Sequence, residues 1–182
     1  MRQDNGTVVP ALRPLFRPTL RFRDTGRVKK INLDELEIAY DDGDPDGYRA
    51  GYNRFGPEIG AAAMGATVYE LQEGQSVCPY HYEYGCEEWA IVLRGRPTLR
   101  HPNGEDVLEP GDVVCFPEGP EGAHKLTNDA AETVRVMLLS DKPGLAAAVY
   151  PDSGKIGIFP SDKSDKIMVR RESAVDYFDG EL

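Results

Sequence analysis

The chain has 182 residues, a formal net charge of −10 at pH 7 and a pI near 4.8. This length suits a single domain with a buried core. The acidic balance argues against nucleic acid as a partner, because binding phosphates requires clustered Lys and Arg side chains. No apolar run reaches the length of a membrane span, and the amino terminus lacks the hydrophobic stretch of a signal peptide. We therefore expect a cytoplasmic protein without a membrane partner.

Residues 1–27 are interpreted as an extended arm, because prolines alternate there with arginines. Apolar side chains such as Phe16 and Leu20 favour contact of this arm with the folded domain or with a neighbouring subunit, and disorder is the alternative. Residues 28–60 are predicted as an N-terminal extension, with an Asp-, Gly- and Pro-rich turn over 41–47.

From residue 61 to 140 the sequence consists of short β-type runs separated by turn residues. Strands are predicted over Gly65–Leu71, Trp89–Leu93, Thr98–Arg100, Val113–Phe116, His124–Thr127 and Thr133–Ser140. Asn103-Gly104 predicts a hairpin turn, since both residues tolerate positive φ. Many short strands with few helical periods indicate an all-β sandwich or barrel. Three further strands are predicted within residues 141–182, a C-terminal extension that we expect to pack on the barrel.

Two of the predicted strands lead to expectations about which side chains are buried. Trp89–Leu93 is apolar at every position, so we expect its outer face to be covered by a second subunit or by the extensions of the chain. Cys115 lies in the apolar run Val113–Phe116 and is expected in the core. The three cysteines are an odd number without the spacing of a disulfide framework, and we expect them to be reduced.

His81 and His124 are two of the three histidines in the chain, and each lies in a segment with turn and strand character. Imidazoles and carboxylates at strand positions are typical ligands of a catalytic divalent metal. His81 and Glu83 are two residues apart, so they face the same way in an extended segment, and a tight turn can bring Glu88 opposite them. The third histidine, His101, lies beside the predicted hairpin and is not expected to be a ligand.

These segments resemble the two motifs of the cupin superfamily. The first motif reads Gly74, His81-Tyr82-Glu83, Glu88 and Gly95, and the second reads Gly111, Pro117-Glu118-Gly119, His124 and Asn128. The resemblance implies an all-β fold, a single cupin double-stranded β-helix (jelly-roll) barrel over residues 61–140, and it favours a homodimer. It also implies metal ligands at His81, Glu88 and His124, with Glu83 replacing the second histidine of the first motif.

The carboxylate at position 83 changes the expected chemistry. A set of His81, Glu83, Glu88 and His124 is richer in oxygen than the usual cupin set, so Mn or Fe is favoured, while Zn or Ni is possible. Alternatively, Glu83 is a general base beside a site of two histidines and one carboxylate, or a bystander. Tyr82 is the other candidate catalytic residue, because the tyrosines near His81 can donate protons, line a pocket or simply pack.

The predicted function is that of a metal-dependent cupin enzyme, of isomerase or dioxygenase type, acting on a small polar metabolite such as a sugar, sugar phosphate, keto acid or enediol. For a phosphorylated substrate, Arg94, Arg96 and Arg100 are the candidate phosphate ligands. The alternative is a non-catalytic, small-molecule-binding cupin with a degenerate metal site, which the substitution at position 83 supports.

Overall fold

A computed structural model describes residues 28–181, and the predicted arm over 1–27 lies outside them. The strands are β1 (Gly51–Asn53), β2 (Met64–Leu71), β3 (Tyr82–Tyr84), β4 (Glu88–Arg94), β5 (Thr98–His101), β6 (Gly104–Val107), β7 (Val113–Phe116), β8 (Lys125–Thr127), β9 (Val134–Asp141), β10 (Leu145–Tyr150), β11 (Lys155–Pro160) and β12 (Ile167–Arg170). Short 3₁₀ helices span Leu33–Glu35, Gly56–Ile59, Pro120–Gly122, Pro151–Ser153, Lys163–Asp165 and Arg171–Ser173. None of the helices in the described residues is long and apolar enough to cross a membrane.

The strands form three antiparallel sheets. One has the order β1-β2-β9-β4-β7, the second β12-β11-β10-β3, and the third β6-β5-β8. Sequence neighbours such as β2 and β3 lie in different sheets, while distant strands such as β2 and β9 pair along their full length. This arrangement is an all-β jelly-roll barrel, and the predicted fold class is confirmed.

The barrel core is lined by inward-facing side chains of the five-stranded sheet. Along β9, Val134, Val136 and Leu138 are buried and alternate with more exposed residues, because successive side chains of a strand point to opposite faces. Leu99 of β5 and Leu126 of β8 close the core from the three-stranded sheet. Each buried side chain of this size contributes about 1.5–3 kcal/mol through removal of apolar surface from water.

The outer face of the five-stranded sheet carries a second apolar cluster. Leu36 and Phe55, from the N-terminal part of the described chain, pack with Ala66 and Val68 of β2, and Leu93 of β4 lies against this cluster. Part of the predicted cover over Trp89–Leu93 is therefore supplied by the chain itself. At the other end of β4, Trp89 is 41% exposed.

One local prediction is wrong, and a second is confirmed only in part. Cys115 is exposed rather than buried, because it pairs with Trp89 on the outer face of β7 while its neighbour Phe116 points into the core. The hairpin between β5 and β6 forms, but its loop residues are Pro102 and Asn103, since His101 pairs with Gly104. Positive φ is needed at Gly104 alone in this turn.

Strand β10 connects the C-terminal residues to the barrel. It pairs with β11 on one edge and with β3 on the other, with Tyr82 opposite Val149 and Glu83 opposite Ala148. The end of β10 consequently lies beside the segment that begins with His81. The domain limits at residues 27, 60 and 140 stay a prediction.

Candidate metal centre

Three side chains from three separate segments converge inside the barrel. His81 precedes β3, Glu88 begins β4 and His124 precedes β8. One potential ligand atom from each lies within 4.8 Å of the other two, and His124 Nε2 is 3.3 Å from Glu88 Oε2. Three such atoms at this spacing can share a single cation.

Backbone pairing brings the two imidazoles together. His81 N–H donates to His124 O at 3.1 Å, and His124 N–H donates to His81 O at 2.8 Å. Residues paired in this way project their side chains to the same face of the sheet. The two ring centroids are accordingly 4.7 Å apart.

Each imidazole is held at its Nδ1 edge by a backbone carbonyl. His81 Nδ1 lies 3.1 Å from Pro79 O, and His124 Nδ1 lies 2.9 Å from Gly122 O. Because a carbonyl only accepts, both Nδ1 atoms carry the proton and both Nε2 atoms keep a free lone pair. A second-shell hydrogen bond of this kind is typical of histidines that bind metal through Nε2.

His124 Nε2 is the clearest sign that a ligand fits here. It is buried and has no hydrogen-bond partner, although Glu88 Oε2 lies 3.3 Å away. With the lone pair on Nε2 and a carboxylate oxygen as the neighbour, neither atom offers a proton to the other. A cation would satisfy both atoms, so the residues present fit a divalent metal.

The site favours a neutral imidazole at His81. Burial lowers the pKa of His81 to about 4, the neighbouring His124 lowers it too, and the carboxylate of Glu88 opposes this shift. The imidazole of His81 is therefore neutral at pH 7, which is the form that binds metal. Phe116 stacks on His124 with ring centroids 3.7 Å apart and an angle of 10° between the planes.

Glu83 lies beside this group without belonging to the set of three. It follows His81 by two positions in extended backbone, and burial together with the charge of Glu88 raises its pKa, which a hydrogen bond with Cys86 partly offsets. Whether Glu83 acts as a ligand, base or bystander stays a prediction.

Tyr82 projects from the opposite face of β3. Its ring contacts Tyr84 at 5.6 Å in an edge-to-face arrangement, and Arg171 lies near its hydroxyl. Strand alternation thus separates Tyr82 from His81 and Glu83. Its catalytic role stays a prediction that this geometry does not favour.

The three arginines considered as phosphate ligands are all engaged in ion pairs. The shortest distances are 3.8 Å for Arg94 to Glu132, 2.6 Å for Arg96 to Glu109 and 2.6 Å for Arg100 to Asp152. Their carboxylate partners all lie outside the His81–Glu88–His124 group. His101 contacts Asp106 at 3.0 Å and is not part of that group either.

Sequence reasoning missed Tyr150, which contacts the site from β10. Its ring stacks on His81 with centroids 5.7 Å apart and 19° between the planes. Burial raises the pKa of Tyr150 to about 12, so the phenol is neutral at pH 7. The signal available in the sequence is the alternation of Ala148 and Tyr150 in a predicted strand, but the partner of that strand is not evident without the structure.

Comparison with known proteins gives a consistent picture of the fold. The profile of the family described as "Cupin domain" matches residues 67–140. No curated protein is similar enough to the chain to count as a match.

Several solved structures share the architecture. One from Acidithiobacillus ferrooxidans, provisionally named a sugar phosphate isomerase, is 25% identical over 71% of this chain and 81% of its own, with a TM-score of 0.66. A cupin-superfamily sugar phosphate isomerase from Silicibacter pomeroyi is 21% identical over 82% of this chain and 98% of its own, with a TM-score of 0.70. A polyketide cyclase from Streptomyces resistomycificus has 19% identity, coverage of 62% and 78%, and a TM-score of 0.52. Residues 67–140 therefore match the cupin-domain family, and the chain contains this domain within a longer sequence.

Proposed function

We propose that this protein is a metal-dependent cupin enzyme in which His81, Glu88 and His124 hold a divalent cation. The observation that carries the proposal is the buried Nε2 atom of His124, which has no hydrogen-bond partner and lies 3.3 Å from a carboxylate oxygen of Glu88. An unsatisfied buried polar atom costs about 1–3 kcal/mol, and a bound cation removes that cost. The oxygen-rich surroundings, with Glu83 nearby, favour Mn or Fe over Zn or Ni.

The substrate class is a small polar metabolite, such as a sugar, sugar phosphate, keto acid or enediol. Isomerisation is favoured over dioxygenation by the likeness to the Acidithiobacillus structure, which is 25% identical. The three paired arginines give no support to a phosphate group as a recognition element.

The mechanism assigns separate tasks to the protein side chains. A divalent cation, when bound, polarises substrate oxygens as a Lewis acid. The carbonyls of Pro79 and Gly122 keep both imidazoles in the Nδ1–H form and orient them. We assign to Glu83, next to this group, the transfer of a proton from one substrate carbon to the neighbouring carbon, as an isomerase requires.

Elemental analysis of the purified and reconstituted protein tests the proposal. We expect about one equivalent of Mn or Fe in the wild type, and loss of that metal in His81→Ala and in His124→Ala. His101→Ala is the matched control, because this histidine pairs with Asp106 at 3.0 Å outside the three-residue group and its loss should leave the metal content unchanged. Absence of stoichiometric metal in the reconstituted wild type would overturn the proposal.

A second candidate is a non-catalytic cupin that binds a small molecule. Glu83 at the position of a motif histidine favours it, because the site then lacks one imidazole. This candidate predicts saturable binding of a polar metabolite by protein that contains no metal after reconstitution. Metal-dependent turnover would exclude it.

The homodimer and the cytoplasmic location are also part of the proposal. On the outer face of β4 and β7, Trp89 is 41% and Val113 is 54% exposed, and a second copy packed on this face would cover these side chains. The three free cysteines suit a reducing compartment. Light scattering of wild type and of Trp89→Glu distinguishes a dimer that uses this face from a monomer.

A further inference from the structure

We propose that Tyr150 is a positioning residue of the metal centre, whose ring fixes the plane of the His81 imidazole from the C-terminal strand β10. This inference rests on the metal site of the proposed function. The two rings stack with centroids 5.7 Å apart and an angle of 19°. Tyr150 lies beyond residues 67–140, so the cupin domain defined by the family profile contains the ligands but not this contact.

The pairing of β10 with β3 places the tyrosine over the histidine. Val149 is opposite Tyr82, and the same register continued by one residue sets Tyr150 opposite His81. Side chains opposite each other in an antiparallel pair project to the same face. The stacking therefore follows from strand register, and any change that shifts β10 by one residue would remove it.

A polar clamp holds the end of β10 in place. Asp152, in the turn that follows Tyr150, accepts two hydrogen bonds from Arg100 at 2.6 and 3.0 Å. The Arg100 guanidinium lies over the ring of Tyr80, 4.0 Å from its centroid. Because Arg100 belongs to β5, the clamp joins the three-stranded sheet to the turn after Tyr150 and limits movement of the phenol ring.

Both imidazoles consequently have the same kind of support. His124 is held at Nδ1 by Gly122 O and on its face by Phe116, while His81 is held at Nδ1 by Pro79 O and on its face by Tyr150. Contacts at Nδ1 alone, which for His81 also include Cys78 Sγ at 3.5 Å, leave a ring free to tilt about that edge, and a flat aromatic neighbour removes that freedom. The flat ring, rather than the hydroxyl, is the part of Tyr150 that performs this task.

Metal affinity of ring-retaining and ring-removing variants tests the inference. Co²⁺ is the probe, with its dissociation constant measured by chelator competition and its visible spectrum recorded. We expect Tyr150→Phe to bind within about two-fold of wild type. Tyr150→Leu should bind about ten-fold more weakly, the lower end of what loss of a second-shell contact costs, and its Co²⁺ spectrum should change. Phe159→Leu is the control, since it alters the neighbouring strand β11 without touching His81.

Two results would overturn the inference. Equal Co²⁺ affinity and equal spectra in wild type and Tyr150→Leu would show that the ring does not position His81. Equal weakening in Tyr150→Phe and Tyr150→Leu would assign the effect to the hydroxyl. If the wild type binds no Co²⁺, the proposed function fails, and ¹⁵N NMR of the metal-free protein still decides the positioning role. Tyr150→Leu, but not Tyr150→Phe, should then shift the ring nitrogen signals of His81.

Discussion

Replacement of Asn128 should destabilise the barrel, because this side chain is completely buried and makes three hydrogen bonds to the backbone. Its Nδ2 donates to Leu71 O at 3.0 Å and to Glu132 O at 2.8 Å, and its Oδ1 accepts from Ala130 N–H at 3.0 Å. These bonds join the residue after β8 to the end of β2 and to the turn that leads into β9. Asn128→Ala removes all of them and leaves their backbone partners in place.

The size of the expected loss in stability depends on whether the backbone partners of Asn128 are buried or near the surface. Leu71 has no exposed surface, so its carbonyl stays buried and unsatisfied, which costs about 1–3 kcal/mol. The groups of Ala130 and Glu132 are near the surface, where water replaces the lost bonds, and each costs about 0.5–1 kcal/mol. The sum is a loss of about 2–5 kcal/mol in the free energy of unfolding. Asn128→Asp should cost at least as much, since it sets a carboxylate oxygen against two carbonyl oxygens.

Urea unfolding followed by the fluorescence of Trp89, the single tryptophan, measures this loss. The slope of the free energy against urea should stay constant while the midpoint falls. Asn103→Ala, in the exposed hairpin loop, is the control and should change stability by less than about 0.5 kcal/mol. A loss below about 1 kcal/mol for Asn128→Ala would refute the reasoning, because it would mean that Leu71 O finds another donor.

Three further predictions concern the site and its surroundings. The metal-free protein should lose about 3 kcal/mol of stability as the pH falls from 6.5 to 4, because the pKa of His81 is lowered from 6.5 to about 4 and the unfolded chain therefore binds the proton first. Urea unfolding at several pH values measures this loss. His81→Leu should abolish this contribution. Gly122→Ala should lower the melting temperature and the Co²⁺ affinity. A Cβ at position 122 would lie 1.8 Å from Pro117 O, so the loop that orients His124 must shift. Unchanged Co²⁺ affinity would contradict this prediction. Thiol titration of the native protein should find one fast-reacting group, which disappears in Cys115→Ser, because the other two thiols are less accessible.

The strands were predictable because their signal is local. In β9, the alternation of Val134, Val136 and Leu138 with outward residues is visible in the sequence and matches the buried positions. In β7 the alternation of residue types does not identify the inward face, because both faces carry apolar or small residues. The inward face is decided by the packing of Phe116 against His124. The prediction that Cys115 is buried is wrong for this reason. The sequence pattern identifies a strand but not the face of the strand that points inward.

The proposed ligands could be predicted from local sequence, whereas the residues that orient them depend on tertiary packing. His81, Glu88 and His124 lie in motifs whose spacing can be recognised in the sequence. Strand alternation predicts that His81 and Glu83 face the same way, and a tight turn can bring Glu88 opposite them. Tyr150 reaches His81 only because β10 pairs with β3 across 60 intervening residues, a register that depends on the summed packing of both strands. A cation site can be predicted despite small errors in the predicted fold, as long as its donors are close together. The tilt of an imidazole plane depends on each neighbouring ring and needs the packing itself. The candidate ligand set could therefore be inferred from sequence before its geometry. Variants at Tyr150 and Phe116 will report on that geometry more directly than variants of the proposed ligands, whose loss would remove the proposed metal altogether.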